Sequence, residues 1–260
     1  MKVLILNDPE AAIERAGDIV SGAVRARPRT VLGLATGGTM LPLYDDLVAR
    51  HDAGLLSFAG ATTFNLDEYV GLAPDHPCSY HRYMRQAFFD RVDLDRARTH
   101  LPRGDVADPQ GEAEDYERRI TEAGGIDLQI LGIGRNGHIG FNEPTASLGS
   151  RTRIKTLTDD TRRANQRYFS SFEETPRYAI TIGVATILDA RATLLLATGE
   201  AKAEAVARMV EGPLSAACPA SALQLHPNAT IVLDAGAASS LTLRSYYETV
   251  HPGGQDSAFD

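Results

Sequence analysis

Short runs that are apolar at nearly every position alternate along this chain with longer stretches whose apolar residues recur at helical spacing. The runs 3–6, 30–35, 61–65, 127–131, 154–157, 179–182, 193–197 and 230–233 predict strands. Val3-Leu4-Ile5-Leu6 and Leu194-Leu195-Leu196 contain no polar position, as expected of strands covered on both faces. Between the runs, 10–26, 43–53, 79–89, 111–122, 160–169 and 200–210 predict amphipathic helices. Strand–helix alternation of this kind implies an α/β fold of three layers, α/β/α, with a Rossmann-like, mostly parallel sheet and helices on both faces. No repeat, low-complexity tract or Pro/Ser-rich linker interrupts the pattern, so residues 1–260 read as a single domain. The polar end, 251–260, reads as a frayed tail.

With 43% hydrophobic and 23% charged residues, the 260-residue chain has the make-up of a soluble domain with an ample core. The longest apolar stretches, such as 192–197, are far too short to cross a bilayer. Residues 1–8 lack the hydrophobic length and cleavage site of a signal peptide. Cys78 and Cys218 lie too far apart in sequence to suggest a disulfide framework or a zinc site. A cytoplasmic protein without metal or membrane attachment is expected. The net charge of −8 argues against a nucleic-acid partner, which needs a basic face. A small anion is still compatible, because a few local cations can outweigh a mild overall charge.

Ligands of such sheets gather at the carboxyl ends of the strands, and three unusual segments lie there. Gly33-Leu34-Ala35-Thr36-Gly37-Gly38-Thr39 follows the second strand and precedes a helical run. Its glycines let backbone N–H groups approach an anion at a helix N-terminus. The alternative is a plain tight turn, and without a following Gly-Lys-Ser/Thr it is not a nucleotide-binding loop. Phe64-Asn65-Leu66-Asp67-Glu68-Tyr69 ends the third strand. It offers either a polar loop or a carboxylate suited to removing a proton from carbon beside a carbonyl. The third segment, Gly132-Ile133-Gly134-Arg135-Asn136-Gly137-His138-Ile139-Gly140-Phe141-Asn142-Glu143-Pro144, contains a Gly-x-Gly-x-x-Gly spacing with Asp159 and Asp160 downstream. A dinucleotide fingerprint would need a helix opening at Gly137, and Gly140, Pro144 and Gly149 make the residues that follow a poor helix. His138 and Glu143 look instead like a proton-transfer pair in which the carboxylate orients the imidazole. A histidine satisfied by backbone partners is the bland alternative.

Gly37-Gly38-Thr39, Phe64 to Tyr69, Gly137 to Pro144, Ser150 to Thr158, Asp160-Thr161-Arg162, Ala164-Asn165 and Leu223-Gln224-Leu225-His226-Pro227 stand in this order and spacing. The arrangement resembles the glucosamine-6-phosphate deaminase family over residues 31–233, nearly the whole chain. The resemblance implies deamination of an aminosugar phosphate with aldose–ketose isomerisation, needing no cofactor and no metal. By that resemblance Asp67 matches the enolisation base, with Glu68 as its structural neighbour. His138 matches the ring-opening acid/base and Glu143 the carboxylate that orients it. Asn136 stands where some members carry an aspartate that helps set the imidazole's charge. The substrate phosphate would be held by Gly37, Gly38 and Thr39 with Arg167 and Lys202. Arg153, Lys155 and Thr156 match residues that bind a regulatory sugar phosphate between subunits of allosteric members, where a homo-oligomer is implied. Ala146 replaces a serine of those members, and Arg151, Arg153 and Lys155 also read as a salt-bridged strand edge. The competing readings are a 6-phosphogluconolactonase-like or pentose-phosphate isomerase-like enzyme on the same scaffold, and a non-catalytic sugar-phosphate sensor.

Overall fold

The computed structural model describes residues 1–166 and 169–257. In chain order its strands and α-helices are β1 Lys2–Leu6, α1 Pro9–Ala26, β2 Val31–Leu34, α2 Met40–Asp52, β3 Thr62–Asn65, β4 Asp67–Tyr69, α3 Tyr80–Ala87, β5 Thr99–His100 and α4 Pro109–Glu122. They continue with β6 Leu128–Leu131, β7 Arg153–Thr156, α5 Asp159–Asn165, β8 Tyr178–Thr181, α6 Val184–Leu188, β9 Ala192–Ala197, α7 Ala203–Val210, β10 Ala229–Asp234 and α8 Arg244–Val250. The main sheet has seven strands in the order β1-β10-β9-β6-β2-β3-β5, and every neighbouring pair in it is parallel. It is the central layer of an α/β/α sandwich, as the periodicity predicts. Among the described residues no helix is long and apolar enough to cross a membrane.

Local chemistry explains the helix starts. Asp8 caps α1 by accepting from the Ala11 N–H at 2.8 Å, and Pro9 follows at the first helical position. Ala12, Ala16, Val20 and Val24 then form the buried stripe of α1. Asp108 and Pro109 repeat the device at α4.

The order of the main sheet reverses between β2 and β6. From β2 the chain steps outward to β3 and β5 on one side, while β6, β9, β10 and β1 extend on the other. A crevice opens at such a reversal because the loops leaving the two strands diverge. Those loops are the glycine turn after β2 and the Gly132–Gly137 segment after β6.

Two runs that read as members of the main sheet belong elsewhere. Residues 154–157 and 179–182 fall in or beside β7 and β8, which pair with β4 in a separate antiparallel sheet of order β4-β8-β7. The transfer occurs at Leu66. Its N–H still bonds Leu34 O of the main sheet at 2.9 Å, while its carbonyl accepts from Ile182 N at 2.7 Å. Tyr69, Phe141, Leu157 and Ala179 form a small core of their own beneath this sheet. The short strands β4 and β5 and the helices α6 and α8 carry too few residues to show a period, and the apolar pattern predicts none of them.

The expected frayed tail is also corrected. His251 and Gly254 are buried, Arg15 Nε donates to Gly254 O at 3.1 Å, and Asp256 pairs with Lys2 at 2.8 Å and Arg15 at 2.7 Å. Partners more than two hundred positions upstream tie down a segment whose own composition predicts fraying. Residues 258–260 lie outside the described residues.

Candidate active site

The crevice between β2 and β6 is a cleft of about 250 Å³. Its lining includes Thr36, Gly37, Gly38, Thr39, Asp67, Tyr80, Arg135, His138, Thr161, Asn165 and Lys202. The three segments singled out in the sequence therefore meet at one place.

One end suits an anion. Gly37 has φ of +115°, a backbone conformation that favours glycine, and its carbonyl is held by Met40 N at 3.0 Å and the Tyr83 hydroxyl at 2.8 Å. The turn delivers the chain into α2, whose first turn has no side-chain cap. Met40 N is already taken by Gly37 O and Pro42 has no N–H, so in that turn the Leu41 N–H and the positive end of the dipole are left for a ligand. Lys202 reaches the cleft from the turn after β9 and donates to Ile133 O at 2.7 Å. Burial, with the Arg135 charge nearby, holds its ammonium below the usual lysine value. Arg167, expected as a second phosphate cation, lies outside the described residues.

Asp67 and Glu68 are adjacent on β4, so their side chains leave opposite faces. Glu68 is fully buried and saturated. It accepts from Tyr69 N at 2.8 Å, Tyr80 N at 3.0 Å, His81 N at 3.0 Å and His81 Nδ1 at 2.9 Å, and so caps the first turn of α3. Asp67, 5% exposed, faces the cleft. Its carboxyl is pushed up to about 8 by burial and by the Glu68 charge, against the Phe141 N–H that favours the carboxylate. A carboxyl tuned near neutrality can both take and return a proton.

His138 faces the same cleft. Its Nδ1 is 3.4 Å from Glu143 Oε2, an ion-pair distance without hydrogen-bond alignment. Glu143 is buried behind it and does not line the cleft. Asn136 Nδ2 donates to Glu143 Oε2 at 2.7 Å, and Asn136 Oδ1 accepts from His138 N at 3.2 Å. The Thr161 hydroxyl bonds the other carboxylate oxygen, and the Thr158 hydroxyl approaches it at 3.3 Å. Burial alone would raise Glu143, but the His138 imidazole beside it and the bonds from Thr161 and Asn136 outweigh it and hold the carboxyl at about 2. Glu143 is therefore an anion across the working pH range, aimed at the imidazole. Asn136, expected among the catalytic residues, acts one step back by gripping Glu143 and the His138 backbone.

The glycines of this loop are steric requirements. The His138 ring lies flat on Gly134: a Cβ there would stand 2.5 Å from Nδ1 and overlap the rest of the ring. Gly137, at φ +87°, would meet Cys218 Sγ at 2.5 Å if it carried a Cβ. After Gly137 the chain runs through turns without a helix until α5, which removes the dinucleotide reading. Gly134→Ala is expected to displace the imidazole and lower kcat/KM by about 10², the effect of roughly 1 Å of misplacement. Steady-state kinetics, with circular dichroism to confirm folding, measures it.

Arg153, Lys155 and Thr156 are on β7, an edge strand of the small sheet, and none lines the cleft. Burial lowers the Arg153 guanidinium, which donates only weakly to Arg151 O at 3.4 Å. The edge is salt-bridged at Arg151, which pairs with Asp189 and, at 3.6 Å, with Glu117. Tyr80, Arg135 and the structural part played by Thr161 escape a reading of the sequence. Tyr80 has only a helix start to mark it, Arg135 is one residue inside a glycine loop, and Thr161 acts on a carboxylate eighteen positions away.

The family described as glucosamine-6-phosphate isomerases/6-phosphogluconolactonase has a model that matches residues 9–232. The chain is 54% identical over 250 residues to a glucosamine-6-phosphate deaminase of Hahella chejuensis, covering 96% of this chain and 95% of that protein. A glucosamine-6-phosphate deaminase of Rhodopirellula baltica is 54% identical over 245 residues, covering 94% and 98%. Among solved structures, one described as a monomeric glucosamine-6-phosphate deaminase matches with TM-score 0.90 and 46% identity, covering 92% of this chain and all of that one. The 6-phosphogluconolactonase of Trypanosoma cruzi matches with TM-score 0.74 at 20% identity, covering 93% and 97%, a likeness of fold alone.

Proposed function

We infer the reaction from one premise: the chain belongs to the glucosamine-6-phosphate isomerase/6-phosphogluconolactonase family. Within it the chain is a deaminase, converting glucosamine 6-phosphate and water to fructose 6-phosphate and ammonia. The observation that carries the residue assignment is the meeting of Asp67 and His138 in one cleft, whose far end suits a phosphate.

The substrate enters as a closed ring. His138 takes the proton of the C1 hydroxyl and returns one to the ring oxygen as the C1–O5 bond breaks, leaving the open aldehyde. The Glu143 carboxylate steadies the imidazolium that forms between the two transfers. The C2 hydrogen, now beside a carbonyl, passes to Asp67 as a proton. Its electron pair forms the C1=C2 double bond, and the carbonyl oxygen takes a proton from solvent to give an enolamine, a proton that leaves at the end with the ammonia as ammonium. Asp67 returns its proton to C1, and C2 becomes an iminium carbon. Water adds there, ammonia leaves, and a ketone remains. A lactonase needs no base for a carbon acid, so the tuning of Asp67 favours the isomerising reading. An aminosugar phosphate substrate puts the activity in aminosugar breakdown in the cytoplasm, since phosphorylated sugars do not cross membranes unaided.

The test is incubation of the purified chain with glucosamine 6-phosphate, assaying ammonia and fructose 6-phosphate together without added cofactor. Equimolar products support the reading, and folded protein that yields neither overturns it.

The Asp67 environment sets a pH dependence. The group must be ionised to accept the C2 proton, and its carboxyl sits at about 8 in the free enzyme. Since kcat/KM reports free-enzyme ionisations, it should fall about tenfold per pH unit on the acid side of that value. An acid limb turning near the ordinary aspartate value of 3.8 instead would remove the role of burial.

A further inference from the structure

Among the described residues Arg135 is the one cleft cation that neither the motif nor the mechanism uses. It lines the cleft together with Gly37, Gly38, Thr39 and Lys202, yet it is exposed to solvent. Among the described residues no carboxylate pairs with it. Other arginines face acids: Arg119 meets Glu112 at 2.5 Å and Arg50 meets Asp18 at 2.6 Å and Asp46 at 2.7 Å. Arg135 faces a cation instead, since its charge is one of the influences that hold the Lys202 ammonium low.

The local backbone makes this juxtaposition deliberate. Lys202 Nζ is bonded to Ile133 O at 2.7 Å, two residues before Arg135. The turn that carries Arg135 is closed by Gly134 N to His138 O and Gly137 N to Gly134 O, both at 2.9 Å. These bonds fix the backbone that carries Arg135 and the carbonyl that holds Lys202, so both side chains start from one wall of the cleft. Two like charges in one cleft, with an uncapped helix start nearby, repel until an anion sits between them.

We propose that Arg135 is a phosphate-binding residue of this cleft, gripping from the solvent side the same phosphate monoester that Lys202 and the α2 N-terminus hold from within. The proposal rests on the aminosugar-phosphate reading of the site and adds a residue to it. A guanidinium presents a planar fork of donors that matches two phosphate oxygens, where a lysine offers a point charge. At the mouth of the cleft it also draws the dianion in against the chain's net charge of −8.

The experiment uses the full chain and inorganic phosphate as the probe, titrated calorimetrically at fixed ionic strength. Arg135→Gln is expected to weaken phosphate binding on the order of tenfold, the loss of one charge-assisted contact, and Arg135→Lys to recover part of it. KM for glucosamine 6-phosphate should rise by a similar factor while kcat stays within about twofold, the mark of a contact made equally in ground and transition states. Unchanged phosphate affinity and KM in Arg135→Gln would overturn the assignment, as would a fall in kcat at constant KM. Phosphate binding needs no turnover, so Arg135-dependent binding in a protein that fails to release ammonia would overturn the reaction and leave this contact standing.

Discussion

Asp67→Asn is expected to lower kcat on glucosamine 6-phosphate by about 10²–10⁴-fold, the contribution of a positioned base to proton transfer. The substitution keeps size and hydrogen-bonding capacity and removes only the proton acceptor, so KM should change little. Asp67 makes few bonds that an amide would break: the nearby Phe141 N–H favours its carboxylate but donates to the Thr181 hydroxyl at 3.1 Å. The neighbouring substitution is the control. Glu68→Gln would turn an amide NH₂ toward the backbone N–H groups of Tyr69, Tyr80 and His81. A buried donor facing donors costs about 1–3 kcal/mol or more, so that variant should melt earlier while its folded fraction keeps most of its kcat. Thermal melts beside single-turnover rates distinguish the two. A crippled kcat in folded Glu68→Gln with a mild Asp67→Asn would reverse the assignment.

His138→Gln should separate ring opening from carbon chemistry. If the imidazole acts on the ring oxygen, its loss is felt when the substrate must be opened on the enzyme, and deamination should fall by about 10²–10⁴-fold. Fructose 6-phosphate supplied in its open ketose form needs no such step. Exchange of its C1 proton with solvent deuterium, followed by NMR, should therefore fall by about tenfold or less. Asp67→Asn should lower both activities by about 10²–10⁴-fold, because enolisation needs that base in either direction. A damaged fold would depress both activities in both variants, so the pair controls for misfolding. Equal losses of exchange and deamination in His138→Gln would put the imidazole in the carbon-centred step. The geometry behind the expectation is the Glu143 carboxylate, held ionised by Asn136 and Thr161, behind Nδ1. Among the described residues nothing comparable stands behind Asp67, whose burial serves the opposite purpose of keeping its proton affinity high.

The contrast between these two carboxyls marks the boundary between what the sequence determined and what the tertiary structure decided. Strands buried on both faces leave an unbroken apolar run, and helices on their flanks leave a period. The parallel main sheet and the carboxyl-end location of the site were therefore written in the order of residues. The glycines at 37, 134 and 137 stood out in the sequence as turn residues, and the structure gives each its reason: φ of +115° at Gly37, the imidazole over Gly134, and φ of +87° against Cys218 at Gly137. Adjacent Asp67 and Glu68, by contrast, are chemically near-equal in sequence. Only the pairing of β4 with β8 turned one toward the cleft and sealed the other against the start of α3. Strand runs do not name their partners, so residues 154–157 and 179–182 could not announce a second, antiparallel sheet. Asp256 depends on Lys2 and Arg15, Glu143 on Thr161, and Arg135 gains its meaning from Lys202. A local pattern reports what a residue does to its own backbone. Charge, burial and proton affinity depend on neighbours that only the folded chain brings together.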